Sequence, residues 1–156
     1  MNLFYLDNVI SDPDTYVEDI LSKDFIDVLD GDNVFKGIQP RDRDELQVLI
    51  ETMLPKYHVV YNFVRQSSVN QEEPNFIHTD EMMGDKTILL YLNKKFPEGY
   101  GTTLYKDKSP ACKIYADYNR MVVFDSNIPH ARNIFKNFGK NKDSRLVQVV
   151  FVKKNN

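Results

Sequence analysis

Cysteine is almost missing from this chain of 156 residues: Cys112 stands alone. That excludes an intramolecular disulfide and disfavours a cysteine-based zinc site, and it removes the thiol-rich secreted scaffolds from consideration. Set between Pro110-Ala111 and Lys113-Ile114-Tyr115, Cys112 reads as a small residue in or beside a strand, with no catalytic-thiol motif around it. An excess of positive charge is missing as well. The formal net charge is −3, so no basic footprint for nucleic acid is expected. Basic residues thicken only near the end (Lys136, Lys140, Lys142, Lys153, Lys154), as suits a solvated loop and tail. No apolar run approaches the roughly 18 residues needed to cross a bilayer. The opening Met1-Asn2-Leu3-Phe4-Tyr5-Leu6-Asp7 lacks the basic stretch of a signal peptide. These absences together point to a soluble, intracellular (cytoplasmic) protein without a membrane or nucleic-acid partner.

What is present is ordinary globular material, 42% hydrophobic and 28% charged. The length suits one domain with a substantial core. Its expected division is a mainly helical N-terminal support (1–56), a β core (57–152) and a short tail (153–156). Leu3 to Leu6 reads as a strand. Ser11-Asp12-Pro13-Asp14 reads as a helix start, capped by Ser11 or Asp12, and Tyr16, Val17, Ile20 and Leu21 form the apolar stripe behind it. Aspartates crowd from Asp24 to Asp32, but their spacing does not fit an EF-hand and no glutamate closes the loop, so a solvated turn is expected. Val34 to Ile38 suits a short strand. A second helix is expected over Arg41 to Met53, between Pro40 and Pro55.

From Tyr57 the period changes. Tyr57 to Arg65 is aromatic and β-branched, with Tyr57, Val59, Tyr61 and Phe63 on one face. Further strands are expected at Asn75 to His78, Lys86 to Leu92, Thr102 to Lys106, Ala111 to Tyr115, Met121 to Phe124, His130 to Ile134 and Ser144 to Val152. Short strands at this spacing suggest a β-sandwich or barrel, here with helices packed on one side.

Three signals carry chemistry. In Phe76-Ile77-His78-Thr79-Asp80, extended backbone turns His78 and Asp80 to one face. Alone, the pair is equally a strand-end histidine bonded to a neighbouring aspartate. Further on, Met121 to Phe124 runs through a polar turn into Pro129-His130. Two histidines and one carboxylate make a facial triad with adjacent open positions, the ligand set of non-haem Fe(II) oxygenases. Last, alternation places Arg145 on the face of Val147, Val149 and Phe151. An arginine at the mouth of an apolar face is costly unless it meets an anion, and its planar fork suits a carboxylate. Outside the sheet it would be an ordinary surface arginine.

With these residues in order, the chain from about Tyr57 to Val152 resembles the Fe(II)- and 2-oxoglutarate-dependent dioxygenases, within the prolyl-4-hydroxylase-like group. His78-Thr79-Asp80 matches the first two metal ligands of that family and His130 the distal one. Leu90-Tyr91-Leu92-Asn93-Lys94 is similar to its Tyr-Leu-Asn strand, whose tyrosine contacts the far carboxylate of 2-oxoglutarate in hypoxia-factor prolyl hydroxylases. Gly101-Thr102-Thr103-Leu104 is similar to its Gly-Gly-x-x-Leu strand, with Tyr100 standing where the first glycine would be. Arg145 falls at the position of the cosubstrate anchor.

The resemblance implies a double-stranded β-helix (jelly-roll, cupin-like) core with N-terminal helices packed on it. It implies Fe(II) on His78, Asp80 and His130, 2-oxoglutarate and O2 as cosubstrates, ascorbate as a supporting reductant, and succinate and CO2 as co-products. Arg145 and Tyr91 would bind the far carboxylate, with Tyr61 as a further cosubstrate contact and Thr87 and Leu89 as chamber walls. Arg132 is the rival anchor. The substrate would be a protein or peptide side chain, prolyl by analogy, or a small molecule. A jelly-roll binding module without turnover is the alternative, and a metal hydrolase on the same barrel a third. Glu81, Met82 and Met83 form a loop by the opening, and His58 has no role.

Overall fold

The strands of the computed structural model, which describes residues 2–73, 75–133 and 136–156, carry apolar side chains on both faces, and this decides the layering. Ten strands are described. They are β1 (Leu3–Leu6), β2 (Ile26–Asp30), β3 (Asn33–Pro40), β4 (Tyr57–Ser67), β5 (Lys86–Tyr91), β6 (Gly101–Lys106), β7 (Ser109–Tyr115), β8 (Arg120–Asp125), β9 (His130–Arg132) and β10 (Arg145–Lys154). Two helices, α1 (Pro13–Leu21) and α2 (Glu45–Met53), precede β4. A seven-stranded antiparallel sheet runs β1-β8-β5-β10-β4-β3-β2, and a three-stranded one runs β7-β6-β9. This mostly β, two-sheet arrangement agrees with a jelly roll.

Two buried clusters separate along the large sheet. Ile88, Leu90, Met121, Val123, Leu146, Val150 and Val152 point outward and share a cluster with Ile20 of α1 and Leu46 and Ile50 of α2. The opposite side chains (Tyr91, Val122, Phe124, Val147) pack with Leu104 and Ile114 of the small sheet into a second cluster between the two sheets, on the chamber side of the large sheet. The period of two divides each strand between these clusters. Cys112 packs beside the inner cluster.

Local chemistry sets the helix ends. Asp12 caps α1, accepting from the Thr15 N–H at 3.2 Å, with Pro13 in the first turn. The second helix starts later than Arg41, because Asp44 caps it through the Gln47 N–H at 3.0 Å while the Arg41 N–H bonds to the Asn62 carbonyl.

Other expectations need correction. Ile26–Asp30 is a strand rather than a solvated turn; it pairs with β3 at the sheet edge, where charged residues are at home. Residues 1–56 are therefore not mainly helical, since three strands accompany the two helices. Lys153 and Lys154 continue β10 instead of forming a tail. The Asn75 to His78 segment is a single bridge, His78 to His130, and not a strand. The expected strand ending at Ile134 is described as His130–Arg132, and Ile134 lies outside the described residues, as does Pro74 of the preceding loop. No helix among the described residues is long and apolar enough to cross a membrane.

Candidate metal centre

The bridge between the two histidines builds the site. The His78 N–H donates to the His130 carbonyl at 3.0 Å and the His130 N–H returns the bond at 2.9 Å, which sets both side chains on one face. Their rings lie 4.4 Å apart between centroids. Two residues on, the Asp80 N–H donates to the Ser126 carbonyl at 2.8 Å and draws the carboxylate beneath both rings. One ligand atom from each of His78, Asp80 and His130 lies within 4.8 Å of the others.

The protonation pattern follows from the partners. Each Nδ1 faces a backbone carbonyl, Phe76 for His78 and Ile128 for His130, both at 2.9 Å. A carbonyl only accepts, so Nδ1 carries the proton and Nε2 presents its lone pair. Those lone pairs face Asp80, with His130 Nε2 2.9 Å from Oδ2 and His78 Nε2 3.4 Å from Oδ1. Acceptors converging on acceptors call for a cation between them, and two imidazoles with a carboxylate suit a divalent transition metal. Without one, protons serve. The carboxylate bonded to His78 pushes its imidazole up. Burial alone would raise the Asp80 carboxyl, but hydrogen bonds from both histidines hold it well below the ordinary range.

Supporting contacts complete the centre. The Thr87 hydroxyl donates to Asp80 Oδ2 at 3.3 Å and lies 2.9 Å from the Ser126 hydroxyl. Phe124 packs 4.8 Å from the His130 ring. His130 is nearly buried, whereas the His78 side chain is 39% exposed, so the centre opens on the His78 side. Met82, 96% exposed, lies in the turn after Asp80. A groove of about 500 Å³ lined by Phe76, Ile77, Tyr105, Lys113, Tyr115 and Arg132 adjoins it, the Phe76 ring lying 5.4 Å from that of His78.

Arg145 opens β10 on the inner face. Asn93 clamps it from both sides, donating to the Ser144 carbonyl at 2.9 Å and accepting from the Leu146 N–H at 2.8 Å. Its guanidinium lies 5.7 Å from the Tyr100 ring, and its Nε is buried with no partner among the described residues. Tyr91 pairs with Val147 on the same face; its hydroxyl is 2.6 Å from that of Thr102, and burial pushes the phenol up to about 12, so it stays neutral. Phe96, Tyr100 and Phe138 wall this end with mutual ring contacts of 5.2–5.7 Å. Gly101 follows Tyr100 where a Cβ would run into the Ile114 carbonyl, so glycine keeps β6 close to β7.

The remaining expected residues are placed differently. Arg132 already bonds to Asn137 Oδ1 at 2.8 Å and lies 3.7 Å from Glu73, so unlike Arg145 it has partners. Tyr61 is 49% exposed and packs edge-on against Phe151, which stands between it and Thr87 in the sheet. His58 bonds to Asn155 at the surface. Sequence reasoning missed Ser126, Asn93 as a clamp, and Tyr100 as a wall of the arginine's pocket.

Similarity to known proteins lies in three dimensions only. No family model matches the chain, and no curated protein matches it. Among solved structures, a prolyl hydroxylase from Trichoplax adhaerens, in complex with a hypoxia-inducible-factor degradation-domain peptide, superposes with a TM-score of 0.69 at 16% identity, over 96% of this chain and 82% of that one. An oxidoreductase of the 2OG-Fe(II) oxygenase family from Burkholderia pseudomallei gives 0.64 at 11% identity, over 99% and 86%. A viral collagen prolyl hydroxylase from Paramecium bursaria Chlorella virus-1 gives 0.62 at 14%, over 100% and 90%. The chain thus has the fold of the 2OG-Fe(II) oxygenases, prolyl hydroxylases among them.

Proposed function

We propose that this protein is an Fe(II)- and 2-oxoglutarate-dependent oxygenase, acting as a hydroxylase. The observation that carries the reading is a pair of complementary polar groups on the inner side of the large sheet. Three ligand atoms with inward lone pairs stand at one end, and an arginine with a buried unpartnered Nε stands at the other. A dicarboxylate that chelates through a 2-oxo acid and ends in a free carboxylate answers both.

His78, Asp80 and His130 would hold Fe(II). Bound there with 2-oxoglutarate and O2, Fe(II) would supply oxidative decarboxylation to succinate and CO2 coupled to oxidation of the substrate, with ascorbate as a supporting reductant. The chain's own residues do the positioning. The Phe76 and Ile128 carbonyls keep both Nδ1 protons in place, so the neutral tautomer of each ring presents Nε2 to the metal. Thr87 orients Asp80. Arg145, clamped by Asn93, takes the far carboxylate with help from the Tyr91 hydroxyl, and the surrounding rings exclude water and strengthen that charge-assisted bond. Tyr61 would be a further cosubstrate contact. The substrate enters beside His78, where the adjoining groove suits a peptide side chain, prolyl-type by analogy with the neighbours, or a small molecule.

The test is succinate formation by purified protein supplied with Fe(II), 2-oxoglutarate, ascorbate and O2, with no added substrate. Slow uncoupled turnover is expected, and His78→Ala should abolish it. Failure of 2-oxoglutarate to bind the metal-loaded protein without oxygen would overturn the reading.

A further inference from the structure

The arginine end of the chamber holds more positive charge than Arg145 supplies. Arg65 on β4 pairs with Val147, which pairs with Tyr91, so the three form one row across the inner face. Arg145 pairs with Ser67, a diagonal step from Arg65 on that face. Diagonal positions lie about 7–8 Å apart, within reach for two long side chains. Arg132 approaches from β9. Among the described residues one carboxylate answers this group: Glu73 Oε1 is 3.2 Å from Arg65 Nη2, and Oε2 is 3.7 Å from Arg132 Nη1.

That carboxylate is already well supplied. Ser67 and Gln71 donate to Oε1 at 2.8 and 2.6 Å. The guanidiniums are not. Among the described residues, the buried side-chain polar atoms left without a partner are the Nε of Arg65, the Nε of Arg145 and the hydroxyl of Tyr100, whose ring lies against Arg145. Two buried cationic donors and a phenol around one region constitute an anion site. Burial, followed by the neighbouring charges of Arg145 and Arg132, lowers the proton affinity of Arg65 despite Glu73, consistent with a cluster short of negative charge.

We propose that Arg65 is a second anchor for the carboxylate that Arg145 binds, and that Glu73 is an internal anion competing for it. The identity of the ligand, an aliphatic dicarboxylate, rests on the oxygenase reading above; the role of Arg65 rests on the charge count. Glu73 neutralises part of Arg65's charge through their ion pair, so it weakens the ligand's hold. The two members of one ion pair therefore act on ligand affinity with opposite signs. A pair that only tied the 68–73 loop to β4 would act with one sign.

The experiment uses the full chain, loaded with Mn(II) and free of oxygen, titrated with 2-oxoglutarate by calorimetry. The metal-free protein is titrated with glutarate in parallel, and melting temperatures are recorded. Arg65→Gln should weaken both ligands about tenfold, the worth of one charged hydrogen bond. Glu73→Gln should tighten both about threefold by removing one competing charge. Both substitutions should lower the melting temperature. The proposal falls if the two substitutions shift affinity in the same direction. It also falls if Arg65→Gln leaves affinity unchanged while Arg145→Gln abolishes binding, and the oxygenase reading then stands. Should Arg65→Gln not fold, Glu73→Gln decides, since unchanged or weaker binding overturns the idea. If the wild type binds neither ligand, both readings fall together.

Discussion

The two faces of the large sheet bury polar groups on opposite terms. On the helix-covered face, Gln148 is fully buried within an otherwise aliphatic cluster, and its partners come from the chain itself. It donates to Asn62 at 2.7 Å and Asp44 at 3.0 Å and accepts from the Tyr16 hydroxyl at 2.6 Å. Asp44 is the hub, receiving in addition the Gln47 N–H and the Arg41 guanidinium, with the Tyr16 hydroxyl 2.9 Å from Oδ2. On the chamber face, three residues down the same strand, Arg145 has a buried Nε with no partner. One face is closed by its own anion and the other leaves cations open. The difference separates polar groups that stabilise the fold from polar groups that the proposed function assigns to a ligand, because a satisfied buried network stabilises while an unsatisfied one costs free energy.

Breaking the closed network should produce the largest effect. Asp44→Ala takes a buried partner from Tyr16, Gln148 and Arg41 and removes a helix cap, so a loss of about 3–5 kcal/mol is expected in urea unfolding. Burial alone would push the Asp44 carboxyl up, but the hydrogen bonds it accepts, led by the Gln47 N–H, outweigh burial and hold it below the ordinary value. Its contribution is therefore complete above the unfolded-state value of about 3.9 and fades as pH falls through the lower folded value. Wild-type stability should drop on acidification below about pH 4, and Asp44→Ala should drop less over that range.

The open face should respond the other way. Arg145→Leu should weaken 2-oxoglutarate binding about a hundredfold, at the upper end for a charged hydrogen bond, while leaving the ligand-free melting temperature unchanged or higher. Calorimetry and a thermal melt on the same sample read both quantities. A large fall in melting temperature would mean that Arg145 has a structural partner. The smallest effect is expected at Thr87, which touches the metal site without belonging to it. Thr87→Val should weaken Mn(II) binding about tenfold with little change in the urea midpoint.

Much of this arrangement is legible along the chain, and its gaps have physical causes. Apolar and β-branched composition located β5 and β10, which are buried on both faces, and the aromatic run of β4, which is partly exposed. The pairing of His78 with Asp80 and the inner position of Arg145 follow from the period of two. Residues 26–30 escaped because an exposed edge strand gains its order from pairing with β3 and shows no amphipathic pattern. Asp44 reads locally as a cap at most; its part as hub depends on Gln148, 104 residues away. Glu73 lies in a polar run that carries no mark of facing inward, and Tyr100 looked like a simple departure from a glycine pattern.

The sequence by itself determined which residue types are present that could hold a metal or an anion, and which way each one turns along its own stretch of extended chain. Side-chain direction is a local property of backbone period. Only the tertiary structure decided which of those residues meet. His78 and His130 are joined by a bridge across 52 positions of chain, and Arg65 and Arg145 are neighbours through strand register. Register is set by the fit of both buried faces at once, and a slip of one residue would turn every chamber side chain toward the helices.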